Sequence, residues 1–173
     1  MDKDLLFSSL YYTLPSLVSG LVAWYFFKEY TKSDANLEKF KLLKEGKKHT
    51  TNLKLQAYER LTLFLERVSL SKLVTRIAAK NENKQAYAMS LIHTIEQEFE
   101  HNITQQIYIS EQAWSVVVQA KNRSIQIIRE LSENETITDA NKLREQIIKE
   151  VMKTQNPSET ALAFLKHEVK AFL

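Results

Sequence analysis

The sequence predicts an all-α protein: an N-terminal transmembrane helix extended as a polar stalk, then an antiparallel helical bundle of about four to five helices. Three observations predict it. The 173 residues include only two glycines and two prolines, far fewer turn residues than a sheet protein of this size uses. Residues 5–27 form a run of 23 without a charge. Beyond residue 53 apolar residues return at three- and four-residue steps, the mark of helices with one buried face. The length allows one core plus an anchor. The expected organisation is 1–27 for the tail and transmembrane helix, 28–52 for a polar juxtamembrane helix and hinge, and 53–173 for a cytoplasmic helical bundle domain.

As a helix, Leu5–Phe27 covers about 34 Å against a hydrocarbon core of about 30 Å. The Asp2-Lys3-Asp4 start and the Trp24-Tyr25-Phe26-Phe27 end do not suit a cleaved signal peptide. The aromatic end suits a headgroup belt, with Tyr11-Tyr12 as a rather deep opposite belt. The competing reading is a fully buried helix of a larger core. Lys28, Lys32, Lys39, Lys41, Lys44, Lys47 and Lys48 follow the run and only Lys3 precedes it. Positive charge stays inside, so the expectation is a single-pass inner-membrane protein, N-terminus outside and C-terminal domain cytoplasmic, with the lipid bilayer as a partner. Thr13, Ser16, Gly20 and Ala23 put small residues on one stripe where a second helix can approach, and Pro15 offers a kink.

From Lys28 to Lys48 the chain is polar, with Glu29, Asp34, Glu38 and Glu45 among the lysines; this is the stalk. Gly46 and His49-Thr50-Thr51-Asn52 predict the hinge. Ala57, Leu61, Phe64, Leu65 and Val68 form the apolar face of the next helix. Ser69–Ala79 is a short helix or turn, and Lys80–Lys84 is a polar link. Asn83 is a fair N-cap. Tyr87, Leu91, Ile95, Phe99 and Ile103 recur every four residues, predicting a helix to about Tyr108. Ser110 opens the helix of Trp114, Val117, Ile125, Ile128 and Leu131. Asp139–Thr154 supplies Leu143, Ile147 and Val151, and Asn156-Pro157-Ser158-Glu159 reads as a capping box. It opens a last helix with Leu162, Leu165, Val169 and Phe172 on one face.

Composition excludes several chemistries. The chain has no cysteine, which removes disulfides, thiolate metal sites and cysteine nucleophiles. Its two glycines cannot make a phosphate loop. A Ser-His-Asp site would need Asp34 or Asp139, neither in a motif. Lys121, Arg123, Arg129, Lys142 and Arg144 are mixed with Glu130, Glu133 and Glu145, so no nucleic-acid-binding stripe forms. Glu98 and His101 have the spacing by which bundle helices present ligands to a di-iron centre. That site wants a second such pair and two more inward glutamates. Glu59 and Glu66 are on offer, His93 falls on a similar face, and no second pair exists. The competing reading gives Glu98 and His101 ordinary hydrogen bonds between helices.

Three blocks carry a resemblance: residues 55–67 (LQAYERLTLFLER), 98–102 (EFEHN), and 105–108 (QQIY) followed by Ser110. The chain resembles an uncharacterised family of short, membrane-anchored helical proteins of Bacteroidetes-type bacteria. The resemblance implies an N-terminal membrane helix and a cytoplasmic helical domain, with no activity, cofactor or partner attached. Read physically, the blocks put Glu59, Arg60, Glu66, Arg67, Glu98, His101 and Gln105 on helices that can face one another, as a polar network or a surface that a partner reads. The function expected is a non-enzymatic, membrane-anchored helical interaction module, self-assembling or an accessory subunit of an envelope complex. The alternative is a helical-bundle metalloprotein using Glu98 and His101. A peripheral-stalk role is disfavoured, because it wants one long heptad run.

Overall fold

Every regular element is helical among the residues that the computed structural model describes: the backbone of 3–79, 82–154 and 156–172, with side chains for the same residues except 3–10 and 32–36. In chain order these are α1 (Lys3–Val68), α2 (Leu70–Arg76), α3 (Lys84–Glu100), a 3-10 helix (Ile103–Tyr108), α4 (Glu111–Glu133), α5 (Ala140–Lys153) and α6 (Pro157–Phe172). The contacts divide the chain into two units, Met1–Thr50 and Thr51–Leu173.

In the first unit the described side chains are exposed. Tyr11, Tyr12, Leu14, Leu17, Val18, Leu21, Val22, Trp24, Tyr25, Phe26, Phe27 and Tyr30 are all 49–81% accessible. Pro15 sits inside α1; it has no N–H to donate. Two nearby hydroxyls donate to backbone carbonyls, Ser16 Oγ to Thr13 O at 2.7 Å and Ser19 Oγ to Pro15 O at 2.8 Å.

The expected membrane crossing is corrected. Among the described residues no helix is long and apolar enough to cross a membrane. The side chains of Leu5–Leu10, which the expected span included, lie outside the described residues, as do Lys3, Lys32 and Asp34. The uncharged run is helical throughout, and its described side chains are those of Tyr11–Phe27. Tyr11, Tyr12, Thr13, Pro15, Ser16, Ser19, Gly20, Trp24 and Tyr25 dilute its apolar content. Absence of charge is a weaker criterion than hydropathy, and the expectation rested on the weaker one. The single-pass inner-membrane placement falls with the span.

The expected hinge shows no break in the helix, while the division between the two units falls within it, between Thr50 and Thr51. Gly46 and His49–Asn52 are helical within α1, and the Thr50 hydroxyl donates to the Gly46 carbonyl at 3.0 Å. One glycine costs a helix only about 1 kcal/mol relative to alanine, and lysines, leucines and glutamate around it favour helix.

The second unit is a helical bundle with a continuous core. Ala57, Leu61, Phe64, Leu65 and Val68 are buried on α1, Leu70, Leu73 and Val74 on α2, and Tyr87, Leu91 and Ile95 on α3. Val117, Ile125 and Ile128 of α4, Leu143 and Ile147 of α5, and Leu162 and Leu165 of α6 complete it. The helix α4 packs on α3, α5 and α6, while α5 also meets α2 and α3.

Sequence-coded caps set most helix starts. Asn83 accepts from Ala86 N–H at 3.0 Å, Ser110 from Ala113 N–H at 3.0 Å and Asp139 from Lys142 N–H at 2.9 Å. Asn156 is 2% exposed; its Oδ1 accepts from Ser158 N–H at 3.2 Å and its Nδ2 donates to Ser69 Oγ at 2.8 Å. The start of α6 is thus tied to the α1–α2 junction. Glu159 is exposed at the surface.

The helix expected to reach Tyr108 stops at Glu100. Asn102 Nδ2 donates to the Glu98 carbonyl at 2.7 Å and Asn102 N–H to the Phe99 carbonyl at 2.9 Å. Asparagine competes with the helical ladder in this way, and the 3-10 helix follows. Ile103 consequently leaves the four-residue stripe and is 43% exposed.

Candidate functional site

Three helix ends converge on one carboxylate. Glu98 lies in the last turn of α3, Arg67 in the last turn of α1 and Arg76 in the last turn of α2. Cations suit helix C-termini, where carbonyl dipoles leave partial negative charge. A carboxylate does not, so Glu98 needs the cations of its neighbours. Arg67 Nε donates to Glu98 Oε1 at 2.8 Å and its terminal nitrogen lies at 2.5 Å. The Arg76 guanidinium stands 3.7 Å from the same oxygen and donates to the Arg67 carbonyl at 3.4 Å. The Glu98 side chain is 16% exposed while Arg67 is 48% exposed, so the pair is half-buried.

Beside it is a cleft of about 130 Å³ lined by Arg60, Leu63, Phe64, Arg67, Glu98, His101 and Asn102. Asn102 is held by its bond to the Glu98 carbonyl. Next to Glu98 in sequence, Phe99 is 5.8 Å from the Phe64 ring and stacks on Trp114 at 5.3 Å. The Lys121 ammonium lies 4.5 Å from the Phe99 ring centre. These ring contacts hold the end of α3 against α1 and α4, and so fix where Glu98 and His101 stand.

Four of the seven residues proposed from the sequence share this cleft: Arg60, Arg67, Glu98 and His101. Glu59 lies in an adjoining depression with Gln56, Arg60 and Leu63. Glu66 pairs with Lys72 of α2. Gln105 donates to the Thr104 hydroxyl at 3.4 Å and is not joined to the arginines. Arg76 and Lys72 were missed. Both are cations on the short segment 69–79, which carried no clear periodicity to assign their faces.

Elsewhere, Thr13, Ser16, Gly20 and Ala23 are exposed on α1, and a Cβ added at Gly20 would meet nothing within 4 Å. Burial and the Glu168 carboxylate push the Tyr58 hydroxyl above its ordinary pKa. Burial raises that of Tyr87, whose hydroxyl donates to the Ile77 carbonyl at 2.8 Å. The Glu98–His101 spacing survives as a shared cleft. Among the described residues, however, no three histidine or acidic side chains gather as a metal would need, and the Glu98 carboxylate is engaged by two guanidinium groups.

No curated protein and no solved structure matches the chain. The expectation of an uncharacterised family is met at that level: its profile matches residues 4–172, and the chain belongs to DUF7935, a family of unknown function.

Proposed function

We propose that this protein is a non-enzymatic helical interaction module that assembles with itself through the N-terminal part of α1. One observation carries the reading. Between Tyr11 and Tyr30, twelve large apolar or aromatic side chains stand at least 49% exposed. Monomeric proteins rarely leave so much contiguous apolar surface in water. A stretch of helix without a charged residue, as Tyr11–Phe27 is, is normally covered, and copies of the same helix offer a matching surface. Thr13, Ser16, Gly20 and Ala23 provide the stripe along which backbones can come close. A role as accessory subunit of a larger assembly uses the same surface with a different occupant.

The test is the mass of the full-length protein in solution, by light scattering across a concentration series, together with crosslinking. A defined oligomer whose crosslinks map to residues 11–30 supports self-assembly. A monomer at every concentration rejects it. Gly20→Leu sharpens the result: the added side chain has open space within its own chain, so a loss of mass reports on a contact between chains.

A further inference from the structure

We propose that the cleft formed by Arg60, Arg67, His101 and Asn102 binds a single oxyanion, a phosphate or carboxylate group, and that Glu98 positions the arginines for it.

Charge points to this ligand. Among the described residues Glu98 is the only acidic one lining the cleft, and Arg60, Arg67 and His101 line it with the amide of Asn102. Both nearest guanidinium groups, Arg67 and Arg76, converge on the one Glu98 oxygen. That leaves Arg60 with no ion pair among the described residues. Of the nearby carboxylates, Glu66 is taken by Lys72, and Glu59 lines the adjoining depression and not this cleft. Within the cleft one carboxylate therefore stands against two arginines, and that carboxylate also faces Arg76 from outside it.

Size and order point the same way. A volume of about 130 Å³ is several times the roughly 30 Å³ share of one water, enough for a phosphate or carboxylate group. Guanidinium groups match such oxyanions through parallel N–H donors. Holding a long arginine in place costs side-chain entropy before any ligand arrives. Here Arg67 is already fixed by two contacts to Glu98, which makes Glu98 a positioning residue. The exposed Leu63 gives the rim an apolar contact for whatever carries the anion.

The experiment is isothermal titration of the full-length protein with inorganic phosphate and, separately, with acetate, at constant ionic strength set with chloride. Saturable binding of phosphate with weak or no binding of acetate identifies a phosphoryl ligand; the reverse identifies a carboxylate. In either case Arg60→Gln should weaken binding about tenfold, the loss of one charge-assisted hydrogen bond, and Arg60→Lys should recover part of it. Arg129→Gln, on α4 and outside this cleft, should leave binding unchanged. Far-ultraviolet circular dichroism verifies that each variant is folded. Two results overturn the proposal: saturable binding of neither anion, or binding that Arg60→Gln leaves intact. The site lies within Thr51–Leu173, so its failure would leave the self-assembly reading untouched.

Discussion

Two stretches of α1 have comparable apolar content and opposite fates. From Leu14 to Phe27 the large apolar side chains are 49–70% exposed, whereas Ala57, Tyr58, Leu61, Phe64, Leu65 and Val68 are 0–4% exposed. Both are regular helix. The difference lies in pattern and in partners. The second stretch alternates its apolar positions with Glu59, Arg60, Glu66 and Arg67, so it has a side to bury and a side to leave wet. Helices α3 and α6 supply ring contacts that cover the first of these sides. The first stretch has no charged side to leave wet, so its apolar residues are not gathered on one face that a single neighbour could cover. Apolar content selects helix in both; only the one-sided pattern selects a place in the bundle.

Cutting equivalent bulk from the two stretches should break the symmetry of composition most visibly. Phe64→Ala, in the core, should cost about 3–5 kcal/mol, read as a large fall in the denaturant midpoint. Leu17→Ala should leave the unfolding of the bundle unchanged, because Leu17 is 64% exposed. An equal loss from both would mean that the first stretch is part of the same cooperative core. A smaller effect is expected where the bundle closes on itself. Asn156→Ala removes the donor to Ser69, whose hydroxyl keeps only Ser71, and leaves the buried Ser158 N–H without its acceptor, at about 1–3 kcal/mol; chemical denaturation measures it.

Glu98→Gln should cost about 1 kcal/mol, since both arginines reach solvent and the pair is screened. That loss should shrink in high salt. The smallest effect belongs to Asp139. The backbone N–H of Lys142 and the Thr138 hydroxyl hold its carboxyl below the ordinary value of 3.8. A depressed carboxylate stabilises the fold fully above its unfolded value, and that stabilisation is lost as pH falls through the lower folded value. Asp139→Asn should therefore lower the melting temperature slightly at neutral pH, with the gap to the parent closing below pH 3.8. A gap constant with pH would assign the cap to geometry alone.

Much of the bundle was legible in advance. The apolar positions of α1, α4, α5 and α6 and the caps Asn83 and Ser110 follow from residue type and spacing, because both act within a turn or two of helix. Ile103 and the 3-10 helix were not legible: the four-residue stripe continues through them, and only the Asn102 side chain, folding back on Glu98, interrupts it. Of the candidate network, Arg67 and Glu98 were named among seven residues on helices that can face one another, without being paired. Their third member, Arg76, was not, since a segment as short as α2 has too few turns to declare a face.

The membrane span shows the opposite limit. A run without charge is read directly from residues, but whether a helix crosses a bilayer depends on length and summed hydropathy, and the tyrosines, serines, proline and glycine of Tyr11–Tyr25 weaken the second. By itself the sequence determined that this chain is helical, where most of its helices begin, and which faces of the bundle helices are apolar, because those properties arise from backbone hydrogen bonding and short-range periodicity. Only the tertiary structure decided that three helix ends meet at Glu98, that Glu66 turns to Lys72, and that Arg60 is left with no ion pair among the described residues. Those outcomes depend on how α1, α2 and α3 pack, through contacts between residues up to 31 apart in the chain, a distance over which local propensity carries no information.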